Sequence, residues 1–272
     1  MKRKYSQLHI SILVILLSII VAIIIFRIER PFRVDVSSDT QIIRYRHSKR
    51  TLDISDLQDL QSIDPMKTVY LDLTGRTIHQ QYIIGLSNFP NINAICFAGS
   101  SIKDDDLLII SNNINLIELN LGVLSITDRG LRALCRSKNL QRLDLAYANC
   151  DYETINCLTS LPKLSELRLR GAKVSDSGKI QWRNFSQLRI LDVSELKIDN
   201  SCLLLLATIP NLISLYIDDN ANISGTGLIA IGTWPRLKHL FLDRTALTPS
   251  ELSEVKRANP NLLIHFERDG SK

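Results

Sequence analysis

The chain is short of the residue patterns that chemistry needs. Its five cysteines, Cys96, Cys135, Cys150, Cys157 and Cys202, are odd in number and contain no C-x-x-C pair. Neither a disulfide framework nor a zinc site is expected from such spacing. The five histidines, His9, His47, His79, His239 and His265, are scattered, with no two at a helical metal-ligand interval. There is no G-x-S-x-G elbow and no nucleophile and base that a simple fold would bring together. No enzyme activity, cofactor, metal or small-molecule substrate is therefore expected. A basic excess is also missing where it would matter. The net charge is +5, but residues 1–30 hold five Lys/Arg and one Glu, which leaves 28 basic against 27 acidic residues in the remainder. A nucleic-acid surface normally requires more.

What the sequence has in quantity is one phrase. "ITDRGLRAL" at Ile126–Leu134 returns as "VSDSG" from Val174 and "ISGTGLIAI" from Ile223. Runs of x-x-L-x-L type begin at Val69, Asn93, Ile117, Gln141, Ser165, Arg189, Ile213 and Lys238. The interval is 24 residues, and 25 for the last, where "YIDDNANI" carries the extra residue. Each repeat should aim six side chains inward: two from a strand, such as Leu143 and Leu145, one after a turn, such as Ile126, two on a short helix, such as Leu131 and Leu134, and one before the next strand, such as Leu140. Of the 48 positions, 47 are apolar, counting Cys150, in a chain that is 45% hydrophobic; Lys179 is the exception. One such unit cannot bury its own leucines. Stacked units share a continuous core, with parallel strands lining one side.

On these residues the chain resembles leucine-rich repeat proteins, in the 24-residue flavour with an (I/V)-(S/T)-D-x-G-L phrase found in bacterial proteins and related to the cysteine-containing repeats of F-box substrate receptors. The resemblance covers about Tyr45 to Phe266. It implies an α/β solenoid of about eight repeats plus caps, with a parallel sheet on a concave face and short helices on a convex one. The departures are Cys150 and Lys179 at core positions and a mixed column at the turn: Arg76, Ser100, Leu124, Ala148, Ala172, Leu196, Ala221 and Thr245. The upstream stretch offers no room for an F-box, so the degradation role of that subfamily is not expected to carry over.

Ile10–Phe26 is apolar except for Ser11 and Ser18 and follows the basic "MKRKYSQLH". At about 1.5 Å per residue it would span roughly 25 Å, near the short end for a transmembrane helix. No small-x-small cleavage site follows, so an uncleaved signal-anchor is expected, with a single pass, the N-terminus cytoplasmic and the repeats outside. The expected organisation is a basic tail over 1–9, a transmembrane helix over 10–26, a juxtamembrane linker over 27–44, an N-terminal cap over 45–68, the repeat domain over 69–266 and a polar tail over 267–272. Leu262, Ile264 and Phe266 suggest a last edge strand.

Some motifs invite chemistry. "GTGLIA", Gly225–Ala230, fits a dinucleotide fingerprint, but Gly227 and Leu228 align with Gly130 and Leu131 and belong to the repeat. "KDDD", Lys103–Asp106, sits where acidic residues favour a helix N-terminus. Two N-x-S sequons, at Asn184 and Asn222, complete the set.

The residues between the strand leucines remain. One column reads Asp72, Cys96, Asn120, Asp144, Arg168, Asp192, Tyr216, Phe241; its neighbour reads Tyr70, Ala94, Glu118, Arg142, Glu166, Ile190, Ser214, His239. Aromatics beside acidic and Arg side chains resemble interface anchors. Asp144, Arg168, Asp192, Tyr216 and Phe241 are the expected contacts of a protein or peptide partner, held by a membrane-anchored recognition module. An F-box-like adaptor and a passive envelope protein are the other readings.

Overall fold

A computed structural model describes residues 40–44, 51–61, 68–113, 115–231, 234, 236–245 and 247–266. Ten strands form one sheet: β1 Thr40–Arg44, β2 Thr68–Asp72, β3 Ile92–Cys96, β4 Glu118–Asn120, β5 Arg142–Asp144, β6 Glu166–Arg168, β7 Ile190–Asp192, β8 Ser214–Tyr216, β9 His239–Phe241 and β10 Leu263–His265. Each pairs in parallel with the next in chain order. From β4 onward the register is unbroken: Leu119, Leu143, Leu167, Leu191, Leu215, Leu240 and Ile264 lie side by side. Successive strand residues face opposite ways, so this row enters the core while its neighbours face away from it. Of the 48 inward positions, all but Val174, Lys179, Ile198 and Leu252 are buried.

Short helices carry the chain back. They span Gln80–Leu86, Asp104–Ile110, Asp128–Ala133, Tyr152–Cys157, Asn200–Leu206, Gly225–Ile231 and Pro249–Ala258. The repeated phrase supplies their starts, and its aspartate also ties neighbours together. The backbone N–H of Thr127 donates to Asp104 Oδ1 at 2.9 Å, and that of Asp151 to Asp128 Oδ1 at 2.9 Å. Asn200 Oδ1 accepts from Ser224 N at 3.1 Å in the same way. The glycine of the phrase makes room for this clip. A Cβ on Gly130 would come within 2.6 Å of the Asp104 carboxylate, and one on Gly227 within 2.1 Å of Asn200 Oδ1. The glycines of "GTGLIA" are thus packing positions, and Gly225 N donates to Glu251 Oε1 at 3.0 Å.

Several expectations need correction. The fold expected was a solenoid preceded by a transmembrane helix. No helix among the described residues is long and apolar enough to cross a membrane, and Ile10–Phe26, on which the anchor rested, lies outside those residues. Among the described residues the fold is a solenoid with no membrane-spanning helix, and the expected membrane partner, single-pass location and orientation are withdrawn. Next, Thr40–Arg44, placed in the linker, pairs with β2 as a strand. It escaped notice because Ile43 lies in register with Leu71 but is followed two residues on by Tyr45 in place of the second leucine of the L-x-L pattern. Behind it, Thr51–Leu52 pairs with Thr77–Ile78, and Leu52, Leu57 and Leu60 are buried. Cys135 and Cys157, in adjacent repeats, form a disulfide with Cα atoms 5.9 Å apart; spacing along the chain gives no hint of it, because the pairing follows from stacking.

Lys179 marks the largest irregularity. After the short strand Lys173–Ser175 the chain as far as Asn184 forms no α-helix, only 3-10 turns at Ser177–Lys179 and Trp182–Asn184. Lys179 points to solvent and pairs with Asp176 at 2.8 Å, while Ile180, Trp182 and Phe185 fill the core. The extra residue of the 25-residue repeat falls after Asn220, so Asn220, not Ala221, stands at the turn column. Its buried amide donates to the carbonyls of Val193 and Ile217 at 3.1 and 3.0 Å and its Oδ1 accepts from Ile198 N at 3.1 Å.

Candidate binding face

The helix-free face of the sheet carries four columns of side chains. Two are the strand columns given above. The chain then continues past each strand through a turn, adding Thr74, Ala98, Gly122, Ala146, Arg170, Ser194, Asp218 and Asp243, and then Gly75, Gly99, Val123, Tyr147, Gly171, Glu195, Asp219 and Arg244. The last column is left-handed throughout, from φ 54° at Arg244 to φ 67° at Gly75. An L-residue there costs about 1–2 kcal/mol. The conformation persists because the N–H groups from Gly75 to Asp219 are turned onto the next repeat: Val123 N donates to Ala146 O at 2.9 Å, Tyr147 N to Arg170 O at 2.8 Å and Glu195 N to Asp218 O at 2.9 Å.

The five expected contact residues divide by role. Asp144 and Asp192 close turns: Asp144 Oδ1 accepts from Ala146 N at 2.8 Å and Asp192 Oδ1 from Ser194 N at 2.9 Å. Asp72 and Asn120 do the same in their repeats, so an acceptor in this column is first a structural need. Asp144 is also buried. Burial pushes its carboxyl up to about 6, with Asp192 and Glu166 adding to the rise and Arg168 and the Ala146 N–H opposing it. Arg168 donates to Glu166 Oε1 at 2.8 Å through Nε. One strand back, Arg142 binds Glu118 at 2.7 Å. Burial lifts the Glu118 carboxyl and Glu166 adds to the lift, against the pull of Arg142.

Tyr216 and Phe241 belong together. Adjacent parallel strands in register hold their rings stacked, centroids 4.0 Å apart and planes within 4°. His265 of β10 continues the stack at 4.1 Å from Phe241, and His239 lies 5.8 Å from His265. Sequence reasoning found the two aromatics but not the third member, since the register of the last strand fixes it.

A second cluster was missed. Tyr147 lies over Gly171, where a Cβ would come within 2.4 Å of the ring, and its hydroxyl donates to Glu195 Oε2 at 3.0 Å, two repeats away. Arg170 donates to Glu195 at 2.7 Å and Asp219 at 3.2 Å, with Asp218 at 3.9 Å. Arg244 also pairs with Asp219. Every member but Arg170 and Asp218 sits in the left-handed column, and only the structure reveals that this column forms a surface. Among the described residues no group of three or more His, Cys, Asp or Glu could hold a metal ion.

No family model matches the chain, and no curated protein matches it. Solved structures do. A chain from the Rad7 and Elc1 complex of yeast is similar with TM-score 0.53 at 15% identity, over 72% of this chain and 54% of that one. An internalin, InlF, from Listeria monocytogenes is 19% identical over 81% of this chain and 71% of that chain, with TM-score 0.47. The present chain thus spans about half the length of the yeast chain it matches. At such identity the yeast likeness speaks to fold alone. Joined to the in-register parallel strands and the clipped short helices, it makes this chain a leucine-rich-repeat-like solenoid.

Proposed function

We propose that the chain is a non-catalytic recognition module that binds a protein partner across the helix-free face of its sheet. The observation that carries the reading is the continuity of that face. Side chains stand in ordered columns over consecutive strands, and one end holds a stack of aromatic rings beside Arg–carboxylate pairs. Planar aromatics and arginines are the residues that anchor interfaces, because they bury large area with few rotatable bonds. Tyr216, Phe241 and Arg168 are the contacts in this reading. Asp192 frames them, and Asp144 supports the strand from below through its turn. The backbone beneath is fixed by the core, so the face is preorganised, which lowers the entropic cost of binding.

The test is affinity capture with the full chain as bait beside a triple variant, Arg168→Ala, Tyr216→Ala and Phe241→Ala, whose circular dichroism and unfolding midpoint establish that it folds. A partner identified with the first bait and lost with the second supports the reading. Equal capture by both moves the binding site off this face.

A further inference from the structure

The turned-out lysine leaves a space behind it. Where other repeats bury a leucine on the short helix, this one sends Lys179 to water, and the residue at its turn column is only Ala172. Between this repeat and the next lies a cavity of about 60 Å³, walled by Val174, Ile180, Leu196 and Ile198. Val174 and Ile198 are inward positions that are only half-buried, and the cavity accounts for both. Ser177 and Leu205 also line it and are exposed, so it opens on the helix side of the solenoid, away from the ring stack and the Arg–carboxylate pairs.

The volume selects an occupant. A cavity of about 150 Å³ takes a benzene, and drug-sized ligands fill roughly 300–1,000 Å³. The smaller space here suits a single branched aliphatic group. Its surroundings show what carries that group. Leu204 and Leu205, on the adjoining helix Asn200–Leu206, are 61% and 39% exposed, so apolar surface continues outside the opening. A protein segment would cover that surface where a free hydrocarbon would not. The chain around the opening exposes Lys173, Lys179, Arg183 and Lys197 against Asp176 and Asp199. Asp176 pairs with Lys179, and Asp199 caps the helix by accepting from Cys202 N at 3.0 Å. Neither answers Lys173, Arg183 or Lys197. The column of Lys173 and Lys197 holds Thr77, Ser101, Ser125, Asn149 and Asn222 in other repeats, so the basic pair stands where the cavity is.

We propose that this cavity is a second docking site, independent of the helix-free face, for a leucine side chain presented by an acidic segment of a partner protein. The isobutyl group fills the space between Val174 and Ile198, the flanking carboxylates meet Lys173 and Lys197, and the segment covers Leu204 and Leu205.

Methyl-detected NMR of the full chain tests this by titration with a short acidic peptide carrying one central leucine. The controls replace that leucine by Ala or Trp, or the acidic flanks by basic ones. The leucine peptide is expected to shift the methyl signals of Val174, Ile198 and Leu205, with affinity falling as salt is raised. The Ala peptide should bind roughly tenfold or more weakly, and the Trp peptide, too large for the space, should also be weaker. Ala172→Leu puts into the cavity wall the residue that Leu124 and Leu196 supply in the same column. It should abolish binding without lowering the unfolding midpoint. Lys173→Glu with Lys197→Glu should reject the acidic peptide and accept the basic one. Arg168→Ala, Tyr216→Ala and Phe241→Ala together should leave binding unchanged, so this site and the helix-free face stand or fall separately. No shift with the leucine peptide, equal binding of the Ala peptide, or binding that survives Ala172→Leu overturns the proposal. If the peptide fails while anionic phospholipid vesicles shift the same signals, the cavity takes an acyl chain and the protein reading falls.

Discussion

Ile126–Arg136 and Val174–Asn184 occupy the same place in their repeats and fold differently. The first runs as a helix, Asp128–Ala133, with Leu131 and Leu134 essentially inaccessible. The second has Asp176 in a left-handed turn and two 3-10 turns. Both begin with a β-branched residue, a hydroxyl residue, Asp, one more residue and Gly. What differs is the residue after the glycine. Leu131 is drawn into the core and closes the helix around it; Lys179 cannot be, and the chain takes a path that keeps the ammonium in water. The phrase alone does not make the helix. The apolar residue that follows it does.

The comparison can be broken most severely by Leu131→Lys. An ammonium forced into a site that is 1% exposed should cost about 3–5 kcal/mol or refold the segment into turns. Denaturant unfolding gives the first, and loss of helical signal the second. Next is the glycine pair. Gly130→Ala meets the Asp104 carboxylate and backbone and should cost about 1–3 kcal/mol. Gly178→Ala meets nothing within 4 Å and should change stability by less than about 0.5 kcal/mol. Equal costs would show that the clip between repeats is not what requires the glycine. Lys179→Leu should return the segment to a helix, read as a gain of helical signal, because the Asp176 pair it removes is largely exposed and such pairs contribute only about 0–1 kcal/mol; an unchanged signal would show that the residue after the glycine does not decide the helix.

The two strand-end acceptors Asn120 and Asp144 offer a parallel test. Each accepts a turn N–H, but only one is ionisable. Asp144 binds its proton more tightly folded than unfolded, with the folded value about 6 against an ordinary 3.8. Between those values the folded state holds more protons, so stability falls as pH rises through the window and the penalty is complete above it. Asp144→Asn should therefore stabilise at pH 7 by about 1–3 kcal/mol, and the gain should vanish below about pH 4. A gain independent of pH would remove the buried charge as its cause.

Much of the fold was legible because its period is set by geometry that every repeat shares: two strand leucines, a turn, a helical pair. The strand Thr40–Arg44 was not, since Tyr45 replaces the second leucine of the pattern and only the pairing with β2 shows the strand. At the face, Tyr216 and Phe241 could be named from alternation alone. Asp144 and Asp192 could be named too, but their turn hydrogen bonds depend on backbone directions that a sequence does not display. Tyr147, Glu195, Asp219 and Arg244 read as ordinary loop residues until the left-handed column brings them together. Cys135 and Cys157 lay in plain view and gave no signal of their pairing.

That bond has a mechanical meaning. A stack of units pulled from its ends lengthens by peeling, and each freed residue adds about 3.3–3.6 Å of chain. The link between Cys135 and Cys157 encloses a separation of 22 residues whose ends stay 5.9 Å apart. Stretched in an oxidising buffer, the molecule should stop roughly 70 Å short of the length it reaches with a reductant present. Two neighbouring units in the middle of the array would then give way under load as one.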